Sequence, residues 1–413
     1  MAETTISTRI TEVFDQLKED EAVKKGLSFI EQDHHQTIAD QIALTEIPAP
    51  PFKEQQRAEN FMHRLQALGL EEVQMDAEGN VFGMRRGSGD GPKIFVSAHL
   101  DTVFPEGTDT TVHQKDGILY APGIGDDTRG LAELLAVVRA MKEAGIKTSG
   151  DLLFGGTVGE EGAGDLRGVK AFFAARSDID AFVSIDGEGF NHITYLATGS
   201  FRYTITYKGP GGHSFGAFGT PSATHALGRA IAAIADLETP SRPKTTFSVG
   251  QVSGGTSVNA IAQEASMAVD LRSNDEQELG TLESRFLEIV QKAAEDENRR
   301  WGDDRLKVEV ARFGNRAPAS QSPEAPIVQI ACAAVKSIGG QPRLGEPSST
   351  DSNYPMSLGI PSITIGLGGD FGGAHTLEEW HNPKNGHLGI QKSFMAILGM
   401  AGVKDICESL LIE

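Results

Sequence analysis

The sequence predicts an α/β protein with a mixed, mostly parallel sheet, flanking helices and an inserted α+β domain. The chain has 413 residues, which exceeds the usual size of one domain. Up to about residue 198, short apolar segments alternate with helical patterns, as expected for parallel strands joined by helices. The order then becomes strand, helix, two strands, helix and strand. We therefore expect one domain from residues 1–198 and 316–413, and an inserted domain at 199–315.

The elements follow in order from the positions of the apolar residues. Residues 54–68 carry apolar side chains at spacings of three and four, which predicts a helix that ends at Gly69. The run 94–96 is continuously apolar, which is typical of a strand buried on both faces. The other predicted helices lie at 127–144, 164–175, 222–237, 276–295 and 389–411. The other predicted strands lie at 151–158, 181–186, 201–209, 245–252, 265–273, 306–312 and 362–367.

The charge balance restricts the classes of partner. Lys and Arg total 37 against 57 Asp and Glu, which gives a formal net charge of -20. Such a field repels phosphate backbones and anionic membrane surfaces, so neither nucleic acid nor a membrane is an expected partner. The sequence contains no apolar run long enough to span a bilayer, and its first 25 residues lack the apolar core of a signal peptide. These features predict a cytoplasmic protein.

Acidic residues and histidines stand at the ends of successive predicted strands. They are His99, Asp101, Asp126, Asp127, Glu160, Glu161, Asp186 and His375. In open α/β sheets, functional sites form at the carboxyl ends of the strands. Several carboxylates brought together there require a cation, because burying so much negative charge alone is unfavourable. Two imidazoles with three carboxylates form a ligand set suited to Zn²⁺, Co²⁺ or Mn²⁺.

Two of the spacings indicate how these residues divide the chemistry. Residues i and i+2 of a strand point the same way, so Asp101 is placed to hydrogen-bond the second ring nitrogen of His99. Adjacent acids on an extended segment point apart. One of Glu160 and Glu161 can therefore bind a metal ion while the other acts as a general base.

Ordinary structural explanations compete with this hypothesis. Asp126 and Asp127 could form a helix N-cap pair. His375 could be a loop histidine, and His381 and His387 are its nearest competitors for a ligand position. The ordered convergence of all these residues at strand ends favours a site.

The motifs that carry these residues resemble a known family. SAHLDTV, GIGDDTRG, VGEEGAGDLRG, SIDGEG and GGAHTLEEW are similar, in order, to the motifs of the co-catalytic zinc metallopeptidases. That family includes peptidase T, aminoacylase, acetylornithine deacetylase and glutamate carboxypeptidase, and the wording is closest to peptidase T-like members. The resemblance implies a catalytic domain with an inserted lid that forms the interface of a homodimer.

The resemblance also implies a role for each matching residue of the catalytic domain. The implied ligands of two divalent ions are His99 and Asp186 for one, Glu161 and His375 for the other, and Asp126 as the bridge. Asp101 would orient His99, and Glu160 would be the general base. A cis peptide bond is expected between Asp126 and Asp127.

Three residues of the inserted domain match family positions as well. GPGGHSFGA places His213 where the family uses a histidine from the partner subunit to stabilise the oxyanion. Asn259 and Arg272 fall where the family binds the carboxylate of the substrate, and arginine suits that task because its planar fork grips a carboxylate with two hydrogen bonds. A strand-edge salt bridge is the alternative role for Arg272.

These observations predict a two-metal hydrolase that cleaves amide bonds in small carboxylate-bearing peptides. An aminopeptidase or dipeptidase of the peptidase T type is the favoured activity. An N-acyl-amino-acid deacylase or a carboxypeptidase is the alternative within the same chemistry. A relative that binds peptides or amino acids without turnover is the alternative of another class. The presence of every implied ligand and of Glu160 argues against it.

Overall fold

The structure, a computed structural model, describes residues 6–89 and 91–411. The chain divides into two compact units. The first unit runs up to Ala197 and resumes at Ser320, and the second comprises Thr198–Ala319. The predicted inserted domain, 199–315, falls within the second unit.

The helices and strands of the described residues are numbered in chain order. The helices are α1 (Thr8–Glu19), α2 (Glu21–Gln32), α3 (His34–Thr45), α4 (Gln55–Leu68), α5 (Thr128–Ala144), α6 (Arg167–Ala175), α7 (Ala223–Ala235), α8 (Glu276–Trp301), α9 (Pro326–Ser337), α10 (Asn353–Ser357) and α11 (His387–Ala401). The strands are β1 (Glu71–Met75), β2 (Val81–Arg85), β3 (Ile94–His99), β4 (His113–Lys115), β5 (Ile118–Tyr120), β6 (Leu152–Thr157), β7 (Ala181–Ile185), β8 (His192–Thr194), β9 (Leu196–Ala197), β10 (Gly199–Lys208), β11 (Gly212–His213), β12 (Thr245–Gly254), β13 (Ala260–Ile261), β14 (Glu264–Ser273), β15 (Lys307–Arg316), β16 (Ala319–Ser320), β17 (Arg343–Leu344), β18 (Ser362–Ile365), β19 (Asp370–Gly372) and β20 (Trp380–Asn382).

The first unit is built on one large mixed sheet with the strand order β1-β2-β6-β3-β7-β18-β8-β17. Its centre is parallel, because β3 pairs in parallel with both β6 and β7, and β18 pairs in parallel with β7. Antiparallel strands extend it on both sides of this centre. This confirms the predicted α/β class with a mostly parallel sheet.

The core of the first unit explains why the central strands are continuously apolar. All six residues of β3 are buried, as are all six of β6, because helices cover the sheet. Helix α5 packs against β3, α2 and α3 and is buried along nearly its whole length. Each fully buried leucine of α5, such as Leu131 or Leu134, contributes roughly 1.5–3 kcal/mol to folding.

The second unit has its own sheet and core. Its antiparallel sheet has the order β12-β14-β10-β15. Alternate residues of β10, namely Tyr203, Ile205 and Tyr207, are buried in a cluster that also contains Phe286 and Val290 of α8. The alternation with period two therefore sets which face of the sheet meets the helices.

The predicted closing helix at 389–411 is too long. Helix α11 ends at Ala401, since Gly402 adopts φ 70° and the chain turns back so that Val403 N–H donates to Cys407 O at 2.9 Å. Apolar residues continue at helical spacing beyond Gly402, and for that reason the sequence pattern misplaced the end. Among the described residues, no helix is long and apolar enough to cross a membrane.

Candidate active site

The strand ends of the first unit bring the predicted residues to one edge of the sheet. His99 is the last residue of β3 and stands in register with Thr157, the last residue of β6. Ile185 ends β7 in register with Ile365, which ends β18. Because these strands are parallel, the segments that follow them leave from the same edge.

Asp126 lies at the centre of the cluster. One carboxylate oxygen, Oδ1, is 2.9 Å from His99 Nε2, and the other, Oδ2, is 3.1 Å from His375 Nε2. Glu161 Oε1 also lies 2.8 Å from His375 Nε2. Asp126 therefore faces both imidazoles with separate oxygens, which is the geometry required of a group that bridges two ions.

Asp186 approaches the same cluster from the end of β7. Ligand atoms of His99, Asp127 and Asp186 all lie within 4.8 Å of one another, and so do those of His99, Asp126 and Glu161. The structure therefore brings four of the five predicted ligands, together with Asp127, into two groups that share His99. The fifth, His375, contacts Asp126 and Glu161 of one group. A set of imidazole and carboxylate donors at this spacing fits divalent metal ions such as Zn²⁺.

Asp126 and Asp127 divide the two roles that the sequence left open. Asp127 is the N-cap of α5, with its side chain accepting from Gly130 N–H at 3.2 Å, and it also accepts from His99 N–H at 2.9 Å. Asp126 points to the imidazoles instead. The peptide bond between the two residues is cis, as the resemblance implied.

Asp101 contacts His99 differently from the prediction. His99 Nδ1 lies 3.0 Å from the backbone oxygen of Asp101, whereas the Asp101 carboxylate is 3.7 Å away, beyond a good hydrogen bond. That carboxylate accepts from the backbone N–H groups of Glu160 and Glu161, at 3.0 and 2.9 Å. Asp101 therefore connects the His99 segment to the segment that carries the two glutamates.

The electrostatics show how strongly negative this cluster is. Hydrogen bonds to Asp126 and Glu161 raise the pKa of His375 to about 10. Burial opposes the charging of His99, yet the carboxylates of Asp101 and Asp126 hold its pKa well above the usual value. Burial and the charge of Asp126 raise the pKa of Asp186 to about 7. The carboxylates thus favour a positive charge among them, and a divalent cation suits the donor atoms of the cluster.

Two buried side chains near the cluster were missed by the sequence analysis. Arg57, fully buried in α4, donates to the backbone oxygens of Ile47 and Leu100 at 2.9 and 2.8 Å. Glu379, fully buried, accepts from backbone N–H groups of the segment that precedes α5. Glu379 belongs to the matched motif GGAHTLEEW, but adjacent Glu378 offers the same chemistry, so the sequence gives no reason to choose between them.

His381 and His387 occupy other places than His375. His381 is fully buried, its Nε2 lies 3.0 Å from Gly368 O, and burial lowers its pKa to about 3. His387 begins α11, where its ring meets that of His34 edge to face. Of these three competitors, His375 is the one that contacts Asp126.

Within the second unit, His213 and Asn259 lie on neighbouring segments. Strands β11 and β13 pair, and Ser214 N–H donates to Asn259 O at 2.9 Å. His213 is exposed, and its Nδ1 accepts from the N–H groups of Phe215 and Gly216 at 3.2 and 3.3 Å. Because Nδ1 accepts both, the proton of the neutral ring resides on Nε2.

Arg272 lies on β14, which is an inner strand because it pairs with both β10 and β12. Its Nε donates to Asp270 Oδ2 at 2.6 Å, and Arg202 Nε donates to Asp270 Oδ1 at 3.0 Å. A salt bridge is therefore present, although it does not lie on an edge strand. It engages Nε of Arg272, and not the pair of Nη atoms that would grip a carboxylate with the outer edge of the guanidinium.

Comparison with known families decides the classification. Residues 95–395 match the family described as Peptidase family M20/M25/M40, a span that contains all five predicted ligands. The chain belongs to this family. It is therefore an M20-type hydrolase, which agrees with the resemblance drawn from its motifs.

Individual relatives and solved structures cover most of the chain. A Bacillus subtilis protein named N-formyl-4-amino-5-aminomethyl-2-methylpyrimidine deformylase is 25% identical over 397 residues, spanning 84% of this chain and 91% of the relative. A tripeptidase from Staphylococcus aureus superimposes with a TM-score of 0.74 at 22% identity, covering 88% of this chain and 97% of that structure. Aminopeptidase PepT from Bacillus cereus gives 0.71 at 22% identity, covering 88% and 98%. The two structural likenesses concern the fold.

Proposed function

We propose that this M20 hydrolase is a two-metal exopeptidase that cleaves amide bonds in small carboxylate-bearing peptides, as an aminopeptidase or dipeptidase. The observation that carries the proposal is the Asp126 carboxylate, whose two oxygens face His99 at 2.9 Å and His375 at 3.1 Å. His99 and Asp186 would hold one divalent ion, Glu161 and His375 the other. Zinc is the proposed metal, with cobalt or manganese as substitutes.

The protein groups supply binding, orientation and proton transfer. Two bound divalent ions supply Lewis acidity, which polarises an amide carbonyl and lowers the pKa of water. Glu160 comes shortly after strand β6, next to Glu161, and is 6% exposed. Its backbone N–H donates to the Asp101 carboxylate at 3.0 Å, which fixes the point from which its side chain extends. In the proposed mechanism Glu160 accepts the proton of the attacking water and returns it to the leaving amine.

His213 is the proposed oxyanion donor, acting on the active site of the partner subunit in a homodimer. Its Nδ1 is occupied by two backbone N–H groups, which leaves Nε2–H as the donor of the exposed ring. Pre-set tautomers of this kind favour catalysis, because the donor needs no reorganisation as charge develops on the carbonyl oxygen.

Asn259 and Arg272 are the proposed groups for the substrate carboxylate. Asn259 is exposed, and its Oδ1 accepts from Ser257 Oγ at 2.7 Å, which orients the amide so that its NH₂ group is the donor toward a ligand. Asp270 fixes the guanidinium of Arg272 through Nε. A group held in this way binds an anion with less loss of side-chain entropy.

Removal of an N-acyl group is a second candidate function. It is favoured by the relative named as a deformylase of an aminomethylpyrimidine, which covers 84% of this chain. N-formyl, N-acetyl and peptide bonds are all amides, so the same metal site would serve each of them. The pocket that accepts the two sides of the amide would then distinguish the activities.

Hydrolysis of a defined substrate panel by metal-loaded and chelator-treated protein tests these alternatives. The panel contains free dipeptides and tripeptides, their N-blocked versions, N-acetyl amino acids and N-formyl amines. Chelator-sensitive cleavage of the free-amine peptides alone supports the aminopeptidase or dipeptidase. Cleavage of the acylated or formylated set alone would replace it with the second candidate. Binding without turnover of any member, by protein that holds two metal ions, would indicate a non-catalytic relative. The Asp126→Asn variant is the control for metal dependence.

A further inference from the structure

Glu379 makes an unusual set of contacts for a buried carboxylate. Its side chain is fully buried, and its two oxygens accept three backbone hydrogen bonds. Oε1 accepts from Gly125 N–H at 2.8 Å and from Asp126 N–H at 2.9 Å, while Oε2 accepts from Gly123 N–H at 2.9 Å. All three donors belong to the four-residue segment that ends at the central carboxylate of the site.

The same segment is held from its other side as well. Thr128 Oγ1 donates to Gly123 O at 2.7 Å, and Gln41 Nε2 donates to Ile124 O at 2.6 Å. Two of its four residues are glycines, and its one apolar side chain, that of Ile124, is fully buried. A Cβ atom at Gly125 would lie 2.6 Å from the ring of Phe371. Hydrogen bonds with side chains also hold the backbone of residues 123–126, because Glu379 accepts from its N–H groups while Thr128 and Gln41 donate to its carbonyl groups.

A carboxylate is the side chain that satisfies these three donors. Each of its oxygens is an acceptor only, and together they offer about four lone-pair sites. A glutamine in the same place would keep one oxygen for two donors and direct an NH₂ group at the third. The NH₂ group of the glutamine would then face a backbone N–H, and both groups are donors. That buried N–H would have no acceptor, which is unfavourable.

Glu379 also belongs to the segment that carries His375, four residues earlier. One short stretch of chain thus supplies the imidazole that meets Asp126 Oδ2 and the carboxylate that fixes the Asp126 backbone. This stretch therefore contacts Asp126 at both its backbone and its side chain.

We propose that Glu379 is a positioning residue for the metal site: it fixes the Gly123–Asp126 backbone so that the Asp126 carboxylate faces both His99 and His375. This inference rests on the proposed function, because it assumes that Asp126 binds metal. Outer groups that orient metal ligands typically contribute 10- to 100-fold to metal affinity.

The test measures metal affinity of the full chain by competition with a chromophoric chelator, using Zn²⁺ and Co²⁺ separately. We expect Glu379→Gln to bind the more weakly held ion roughly 10- to 100-fold less tightly than the unaltered chain. The visible absorption spectrum of the Co²⁺ form should change as well, because the Asp126 carboxylate is no longer held in one orientation. Far-UV circular dichroism verifies that the variant is folded.

Glu378→Gln is the matched control. Glu378 is the same residue type, one position away, and exposed. Its substitution should leave both metal affinity and the Co²⁺ spectrum unchanged. Glu379→Asp keeps two acceptor oxygens on a shorter stem and should recover part of the lost affinity. It also provides the measurement if the Gln variant does not fold.

Each outcome decides between the two proposals. If the unaltered chain binds no divalent ion, or if Asp126→Asn binds as many ions as tightly, the proposed metal site itself is wrong. If Asp126→Asn loses metal while folded Glu379→Gln and Glu379→Asp both bind it with unchanged affinity and spectrum, the positioning role alone is wrong. A lower melting temperature with unchanged metal affinity would also refute positioning, since it would reduce Glu379 to a structural residue.

Discussion

The Arg129–Glu133 pair provides the sharpest test of how buried charge supports this fold. Both residues lie on α5 with fully buried side chains, and Arg129 Nε donates to Glu133 Oε1 at 2.9 Å. The same oxygen accepts from Gly368 N–H at 2.6 Å, and Arg129 Nη2 donates to Gly386 O at 2.8 Å. The pair therefore connects α5 to the two ends of the 368–386 segment, which contains His375.

Removing the negative charge alone should be strongly destabilising. Glu133→Gln retains an oxygen for Gly368 N–H, yet it leaves the Arg129 guanidinium buried without its counter-charge. Breaking a buried pair in this way reduces the free energy of unfolding by about 3–5 kcal/mol. Adding Arg129→Met removes the uncompensated charge, so the double variant should regain about 2 kcal/mol although it lacks more hydrogen bonds.

Equilibrium urea unfolding measures these values for the first unit. The sequence has two tryptophans, Trp301 on α8 and Trp380 on β20. In a Trp301→Phe background, fluorescence therefore reports on the first unit through Trp380. The control is Asp15→Asn, which removes the partner of Lys18 in an exposed pair on α1 and should change stability by less than about 1 kcal/mol.

The prediction is refuted if the double variant loses as much free energy of unfolding as the two single variants, Glu133→Gln and Arg129→Met, lose together. Such additivity would mean that the two charges do not compensate each other. A decrease in the free energy of unfolding of less than about 1 kcal/mol for Glu133→Gln would also refute the prediction, because an exposed ion pair contributes up to that amount.

Three further predictions concern catalysis, binding and pH. Glu160→Gln should lower kcat by roughly 10²–10⁴-fold with metal content unchanged, because it removes the proposed general base; equal turnover, measured with a cleaved substrate of the panel, would overturn that role. Arg272→Ala should raise KM for substrates with a free carboxylate but not for their amides, and equal increases for both would favour the purely structural salt bridge with Asp270. Burial lowers the pKa of Lys392 from 10.5 to about 8. The unfolded chain then binds more protons between these values, so stability should rise with pH over that window by about 3 kcal/mol, and the rise should be absent from Lys392→Met in the same urea assay.

The sequence predicted those parts of the structure that periodicity alone determines. Helix α4 and helix α5 begin within one residue of the predicted 54–68 and 127–144, because their apolar faces are continuous and each ends at a glycine with positive φ, Gly69 or Gly145. The predicted end of α11 was wrong. Apolar residues continue at helical spacing after Gly402, but the backbone leaves the helical conformation there. Periodicity reports which face is buried, and it carries no information about where a chain reverses.

The sequence named residues that the structure brings together at the sheet edge, whereas several of their contacts were not predicted. Asp101 was expected to reach His99 with its carboxylate, but the shorter contact is made by its backbone oxygen. The roles of Glu378 and Glu379 could not be separated, since only the tertiary structure exposes one and buries the other. A sequence pattern indicates which side-chain groups stand at a strand end, whereas their hydrogen-bond partners depend on the path of the backbone.

The segment around His375 shows why those unpredicted contacts matter for function. Before His375, Lys392 Nζ donates to Gly366 O at 2.7 Å and Glu133 accepts from Gly368 N–H. After it, Glu379 accepts the three N–H groups of the Asp126 segment. His375 therefore lies between two stretches of backbone that buried charged side chains hold to the rest of the first unit. Because these contacts are made by the protein itself, they hold the proposed ligands apart at a fixed distance before any cation binds. Metal removal should therefore abolish activity without unfolding the chain.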